Sequence, residues 1–133
     1  MANVTIAQWA AKTQAKLDLL VRKVALEAFA EVILKSPVDT GRFRGNWQVG
    51  IGNVPGGVLV LDDVSGTATI SKATAVAQNV RAGQVINLVN NLPYALKLEQ
   101  GSSQQAPGGM VRLAVQRWQP IVDQAVAQIA SMP

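Results

Sequence analysis

The sequence predicts an α+β fold, with a long N-terminal helix and a C-terminal helix packed on a small, mainly antiparallel sheet. Three observations predict it. Apolar residues recur at helical spacing over residues 1–35 and again after Met110. Short β-prone runs, Val58–Leu61 and Gln84–Asn90 among them, lie between these two regions. Pro and Gly punctuate the joints, at Pro37, Gly41, Pro55-Gly56-Gly57, Gly83, Pro93, Gly101 and Pro107-Gly108-Gly109.

The first helix opens at Thr5, with Gln8 three residues on, the spacing of a capping box. From there Ile6, Trp9, Thr13, Leu17, Leu20, Val24, Ala28 and Val32 follow i+3/i+4 steps along one face. Leu19, Leu26, Phe29, Ile33 and Leu34 lie off that stripe, so the second half is apolar around much of its circumference and suits burial on two sides. The pattern runs to Lys35, about 30 residues or roughly 45 Å. That is long for this chain, and the first turns are expected to project and meet a neighbour, with Trp9 as anchor.

Residues 36–47 read S-P-V-D-T-G-R-F-R-G-N-W. Pro37 fixes its own φ and drives Ser36 out of the helical region, so the helix ends there. Asp39, Thr40 and Gly41 form a turn signal. Read as extended chain, Arg42 and Arg44 share one face and Phe43 takes the other. A strand is expected from Phe43 to Ile51, with Trp47, Val49 and Ile51 on its apolar face.

The middle of the chain, residues 43–92, reads as strands with a central insertion. Asn53 to Gly57 is a loop or hairpin turn, and Val58–Leu61 a short β-type run ending at Asp62-Asp63. Thr67–Ile70 fits either a strand or the approach to a short helix, with Ser71 capping Ala73–Val80. Gln84–Asn90 carries aliphatics on both faces and reads as a central strand. Two or three antiparallel strands result.

Residues 93–133 supply a short helix, a loop and the last helix. Leu92-Pro93 ends the strand, and Tyr94 to Gln100 forms a helix stopped by Gly101. Ser102, Ser103, Gln104, Gln105 and Ala106 make a polar loop. The final helix spans about Met110 to Ile129, with Pro120 kinking or interrupting it near Arg117.

Composition bounds the function. The 133 residues make one domain, 49% hydrophobic and 15% charged, with a net charge of +4. Typical soluble domains carry about a quarter charged residues. Either an Ala- and Val-rich core or surface hidden against other subunits accounts for the surplus. No apolar run approaches the roughly 20 residues that span a bilayer, so no membrane partner is expected. The first residues lack the basic region and apolar stretch of a signal peptide, which places synthesis in a cytoplasm.

Cysteine and histidine are both absent. Their absence removes disulfides, thiolate and imidazole metal sites and the Ser-His and Cys-His pairs. Glu27 and Glu31 sit one helical turn apart, and Asp62-Asp63 lack further oxygen ligands at a recognisable spacing. Gly56-Gly57 lacks the Lys and Ser/Thr of a phosphate loop. The expectation is a protein without catalytic activity, metal or cofactor.

Two blocks carry a resemblance. S-P-V-D-T-G-R-F-R-G-N-W and, from Asn90 to Met110, N-N-L-P-Y-A-L-K-L-E-Q-G-S-S-Q-Q-A-P-G-G-M resemble recurring segments of the small neck or tail-completion proteins of long-tailed bacteriophages, the minor tail or head–tail joining components. They cover about a quarter of the chain, in the family's order and separation. Pro37, Gly41, Trp47, Pro93, Tyr94, Glu99, Gly101 and Met110 are the structural positions of these blocks.

The resemblance implies a ring of copies of the chain, a hexamer favoured over a dodecamer. It would complete the tail or join it to the head, against neck, portal-side or tail-tube proteins. It implies a virion protein assembled in the host bacterial cytoplasm. Rings use heterologous contacts, for which the candidates are Trp9, the turn with Asp39, Thr40, Arg42 and Arg44, and the loop with Ser102, Ser103, Gln104 and Gln105. Asp39 alternatively locks its own turn by bonding the backbone at Gly41 or pairing with a nearby arginine, and Tyr94 and Glu99 brace the second block. Arg42 and Arg44 also fit a lumen that passes DNA. Subunit contact or bracing is favoured, because phosphate tracking recruits more basic groups. The alternative from another class is a small basic nucleic-acid-binding or regulatory protein.

Overall fold

The computed structural model describes residues 5–133. Helix α1 spans Ile6–Lys35. Its capping box forms as the spacing predicts: Gln8 N–H donates to Thr5 Oγ1 at 3.1 Å and Thr5 N–H to Gln8 Oε1 at 3.0 Å. Ser36 leaves the helix at φ −66°, ψ 135°, the extended geometry that a following proline demands. Burial is confined to the second half, at Val24, Ala25, Ala28, Val32 and Ile33. Ile6 and Trp9 are 86% and 63% exposed, so the first turns project.

The C-terminal helical region divides into α5 (Val111–Gln116) and α6 (Trp118–Ala130). The interruption falls at Arg117, as Pro120 requires: its ring clashes with the carbonyl four residues back. Inside the first turn of α6 the missing N–H would have had no helical partner anyway. Helix α6 runs antiparallel to α1. Arg117 Nε meets Glu31 Oε1 at 2.9 Å at one end, and Lys16 Nζ donates to the Met132 carbonyl at 3.1 Å at the other. Between them Val24 and Ala28 pack on Ile121 and Ala125.

Two strands, β1 (Trp47–Ile51) and β2 (Ile86–Asn90), form an antiparallel sheet with Val49 opposite Leu88 and Ile51 opposite Ile86. Directly opposed residues share a face. That face meets α1 and α3 (Thr67–Ala77), and the main core gathers Val32, Ile33, Phe43, Trp47, Ala73 and Met110. A short helix, α4 (Ala95–Glu99), follows the sheet, and Gly101 lies just beyond it.

Four local expectations are corrected. The chain from Phe43 is not strand, because Arg42–Gly45 forms a single helical turn, α2, closed by Gly45 N–H donating to Gly41 O at 2.9 Å. Arg42 and Arg44 therefore point to different sides. Gly41 makes the turn possible: its φ is +89°, and a Cβ there would sit 2.6 Å from the Val64 nitrogen. Val58–Leu61 is not a strand either. The Asn46 amide takes the place of a neighbouring strand, accepting from Leu59 N–H at 2.7 Å and donating to Leu59 O at 3.1 Å.

Thr67–Ile70 opens α3, and Ser71 lies inside that helix and does not cap it. The cap is the buried Asp63, which accepts from Gly66 N–H, Thr69 N–H and Thr69 Oγ1 at 3.0, 2.8 and 2.6 Å. A carboxylate at this end also meets the positive pole of the helix. Finally, β2 is not central, since among the described residues the sheet has two strands. Its second aliphatic face is partly open to solvent; Val85, just before it, is 64% exposed.

Trp47 is 6% exposed and its Nε1–H donates to Ser36 Oγ at 2.7 Å. Trp47→Ala is expected to cost about 3–5 kcal/mol, and Ser36→Ala, which leaves the indole N–H unpaired, about 1–3 kcal/mol. Urea unfolding midpoints measure both, and an unchanged midpoint for Trp47→Ala would contradict its place in the core.

Candidate functional site

The last carbonyls of a helix have no helical partner. At the end of α1 residues 36–47 supply the partners. Ser36 Oγ–H donates to Val32 O at 2.8 Å and accepts from the Trp47 indole. Arg44 reaches back with one guanidinium nitrogen to Leu34 O and Ser36 O, both at 2.8 Å, and with the other to Val64 O at 2.6 Å. Asn46, fully buried, bonds Arg42 O as well as Leu59. Arg44 is thus engaged by three carbonyls and ties α1, the turn and the segment before α3 together. Of the two roles expected of it, subunit contact or bracing, it takes the second and is not presented for contact.

The second block folds onto the first. The Gln105 amide accepts from Val38 N–H at 2.8 Å and donates to Val38 O at 3.0 Å, a two-way pairing like that between strands. Phe43 stands between Trp47 and Tyr94, with ring centroids at 5.8 and 6.1 Å. Beneath them Glu99 caps α5, accepting from Met110, Val111 and Arg112 N–H at 3.1, 2.9 and 3.0 Å. Gly109 allows this approach: its φ is +81°, and a Cβ would lie 2.6 Å from a Glu99 carboxylate oxygen.

Where the blocks meet they leave an open cleft of about 260 Å³. Asp39, Thr40, Arg42, Tyr94, Ser103 and Gln105 all line it, with Pro37 and Phe43. Seven of the residues singled out from sequence, Pro37 included, are thereby brought together. Trp9 lies far away on the projecting end of α1, Arg44 turns to the other side, and Ser102 and Gln104 are exposed outside the cleft. Met110, Pro93 and Gly101 shape the block without lining the cleft.

Asp39 does not lock its turn. Among the described residues its carboxylate has no hydrogen bond or ion pair, and Thr40 Oγ1 takes the local role by accepting from Arg42 N–H at 3.2 Å. Arg42 is likewise exposed, with its guanidinium unpaired among the described residues. The cleft therefore offers one carboxylate, one guanidinium cation, a half-exposed tyrosine ring and small polar groups. Among the described residues no three His, Cys, Asp or Glu side chains converge as metal ligands.

Two carboxyls beside this region titrate abnormally. Burial pushes Asp63 upward, but the hydroxyl and N–H of Thr69 and the N–H of Gly66 hold it below the ordinary range. Burial acts the same way on Glu99, outweighed by the N–H groups of Val111, Arg112 and Met110 and by the Arg112 charge. Sequence reasoning missed Asn46 and Asp63 as structural anchors. A polar residue between Gly45 and Trp47 was the signal for the first, and an acid three residues before a glycine-capped helix for the second.

The chain was compared with known protein families, characterised proteins and solved structures, and none matches.

Arg44→Met should lower thermal stability, because three carbonyls lose their donor, whereas Arg42→Glu should leave the melting temperature near that of the parent. Equal melting temperatures for the two variants would contradict the structural role of Arg44. Depressed carboxyl values stabilise the fold above the unfolded range near pH 4, and this contribution is lost as pH falls through the folded values. Thermal melts from pH 7 to about pH 2.5 should therefore fall steeply on the acid side. The Asp63→Asn, Glu99→Gln double variant should be less stable at neutral pH and show a shallower fall.

Proposed function

We propose that the chain is a structural bacteriophage virion protein of the neck or tail-completion type, forming a ring that completes the tail or joins it to the head. The observation that carries this reading is the union of the two resembling blocks. Separate in sequence, they pack against each other through Gln105 and Val38 and through Phe43 and Tyr94, and they share one cleft. Their residues divide into those that hold the unit together and those that face outward from it.

The ring is built from copies of the chain, six in preference to twelve, and its neighbours are neck, portal-side or tail-tube proteins. The cleft with Asp39, Arg42 and Tyr94 is the surface offered to such a neighbour. The protein works in the virion after assembly in the host cytoplasm and catalyses no reaction. No described helix is long and apolar enough to cross a membrane. The nucleic-acid reading is the weaker one, because Arg44 is committed to carbonyls and only Arg42 of the pair is available to phosphate.

Co-sedimentation with purified phage tails and with portal rings tests the proposal. Binding to one of them should persist in moderate salt and weaken at least tenfold in an Asp39→Lys, Arg42→Glu variant, a loss of about 1.4 kcal/mol. Binding to neither, together with steeply salt-dependent binding to DNA, would overturn it in favour of the nucleic-acid reading.

A further inference from the structure

The stripe of α1 that α6 covers does not stop where α6 stops. Leu20, Val24 and Ala28 lie under α6, and the same i+3/i+4 steps continue backward through Leu17, Thr13, Trp9 and Ile6. Helix α6 ends at Ala130, and Lys16 is already level with Met132. Beyond that point no described residue covers the row. Ile6, Trp9 and Leu17 are 86%, 63% and 44% exposed. A row that is core along half of a helix thus becomes bare surface along the other half.

A second unfilled apolar surface lies on the same helix. Leu20, Val21 and Phe29 of α1, Ile86 of β2 and Trp118 and Val122 of α6 border an open groove of about 490 Å³. The indole of Trp118 is 50% exposed along it. The arm and the groove cannot satisfy one another within one chain. Both belong to α1, which runs 30 residues without a Pro or Gly, so the arm has no hinge on which to fold back.

We infer that the N-terminal arm of α1, Ile6 to Leu17, seats in the α1–α6 groove of a second copy of the chain, with Trp9 as its anchor. This deepens the ring reading and rests on it, by naming the contact between neighbouring subunits. The arm is about 18 Å long, and seating its apolar row removes on the order of 1,000 Å² from water, the lower bound for a specific interface. Every subunit owns one arm and one groove, so each makes two such contacts. Because the two surfaces differ, the contact is heterologous and propagates to a closed ring, or is exchanged reciprocally between two chains.

The chain has no cysteine, so single introduced cysteines report the contact directly. Ala10→Cys marks the arm and Val21→Cys the groove. The two variants, prepared separately, mixed and oxidised, should give arm-to-groove disulfides in excess of arm-to-arm and groove-to-groove products. An Ile6→Asp, Trp9→Asp variant should stay folded, with parental helical content and a cooperative melt, while its native mass falls from a multiple of 14.1 kDa to 14.1 kDa. A variant that keeps the parental oligomer, or disulfides formed only between arms, would overturn the contact and leave the ring reading intact. A parent chain of 14.1 kDa at every concentration, without arm-to-groove disulfides, would also overturn it. Tail and portal binding then judges the ring reading separately.

Discussion

The closure of α1 at its C-terminal end is the constraint on which the rest of the structure depends. A helix that ends inside a domain leaves carbonyls that must find donors, and burial without them is costly. Here Ser36, Arg44 and Trp47 form one connected answer, in which the Ser36 hydroxyl both donates to Val32 and receives the Trp47 indole. The same guanidinium that satisfies Leu34 and Ser36 also holds the Val64 carbonyl. One side chain therefore fixes the end of the long helix, the entry to the sheet and the approach to α3. Trp47 is at once the first residue of β1 and a wall of the core.

That closure explains the composition of residues 36–47. Pro37 stops the helix, Gly41 permits the left-handed step, and Gly45 and Asn46 bring the segment of Leu59 close enough to be held by an amide. Three of the polar residues in this stretch, Ser36, Arg44 and Asn46, bind inward. Asp39 and Arg42 remain outward, in the cleft that the second block completes through Gln105 and Tyr94. Bracing residues and candidate docking residues thus alternate within a dozen positions, and side-chain type alone does not separate them. Arg42 and Arg44 show this most plainly: two guanidinium groups, two residues apart, one solvated and one locked on three carbonyls.

The unequal burial along α1 has a corresponding logic. Its second half is packed on two sides, by α6 and by α3 with the sheet, in accord with apolar residues around most of its circumference. Its first turns, Ile6 to Leu17, carry a single apolar stripe that is exposed at Ile6, Trp9 and Leu17. The surplus of apolar residues in the composition divides between these two fates, core at Val24, Ala28 and Ile33 and bare surface at Ile6 and Trp9.

By itself, the sequence determined what is local. The capping box at Thr5, the 30-residue span of α1, its end before Pro37, the break near Arg117 and the short helix before Gly101 follow from periodicity, capping chemistry and proline sterics, all of which act within a few residues. The α+β class followed from the order of those elements. Tertiary structure decided the rest. Phe43–Asn46 has β-compatible residues but is wound into a turn, because Gly41 must pass under Asp63 and Val64. Val58–Leu61 has strand composition but no strand beside it, since Asn46 takes the position a neighbour would occupy. Whether an arginine meets solvent or carbonyls, and which seven of the singled-out residues share a cleft, depends on contacts between segments from eight to more than sixty residues apart. Such contacts leave no periodic mark in the chain, so they appear only when it is folded.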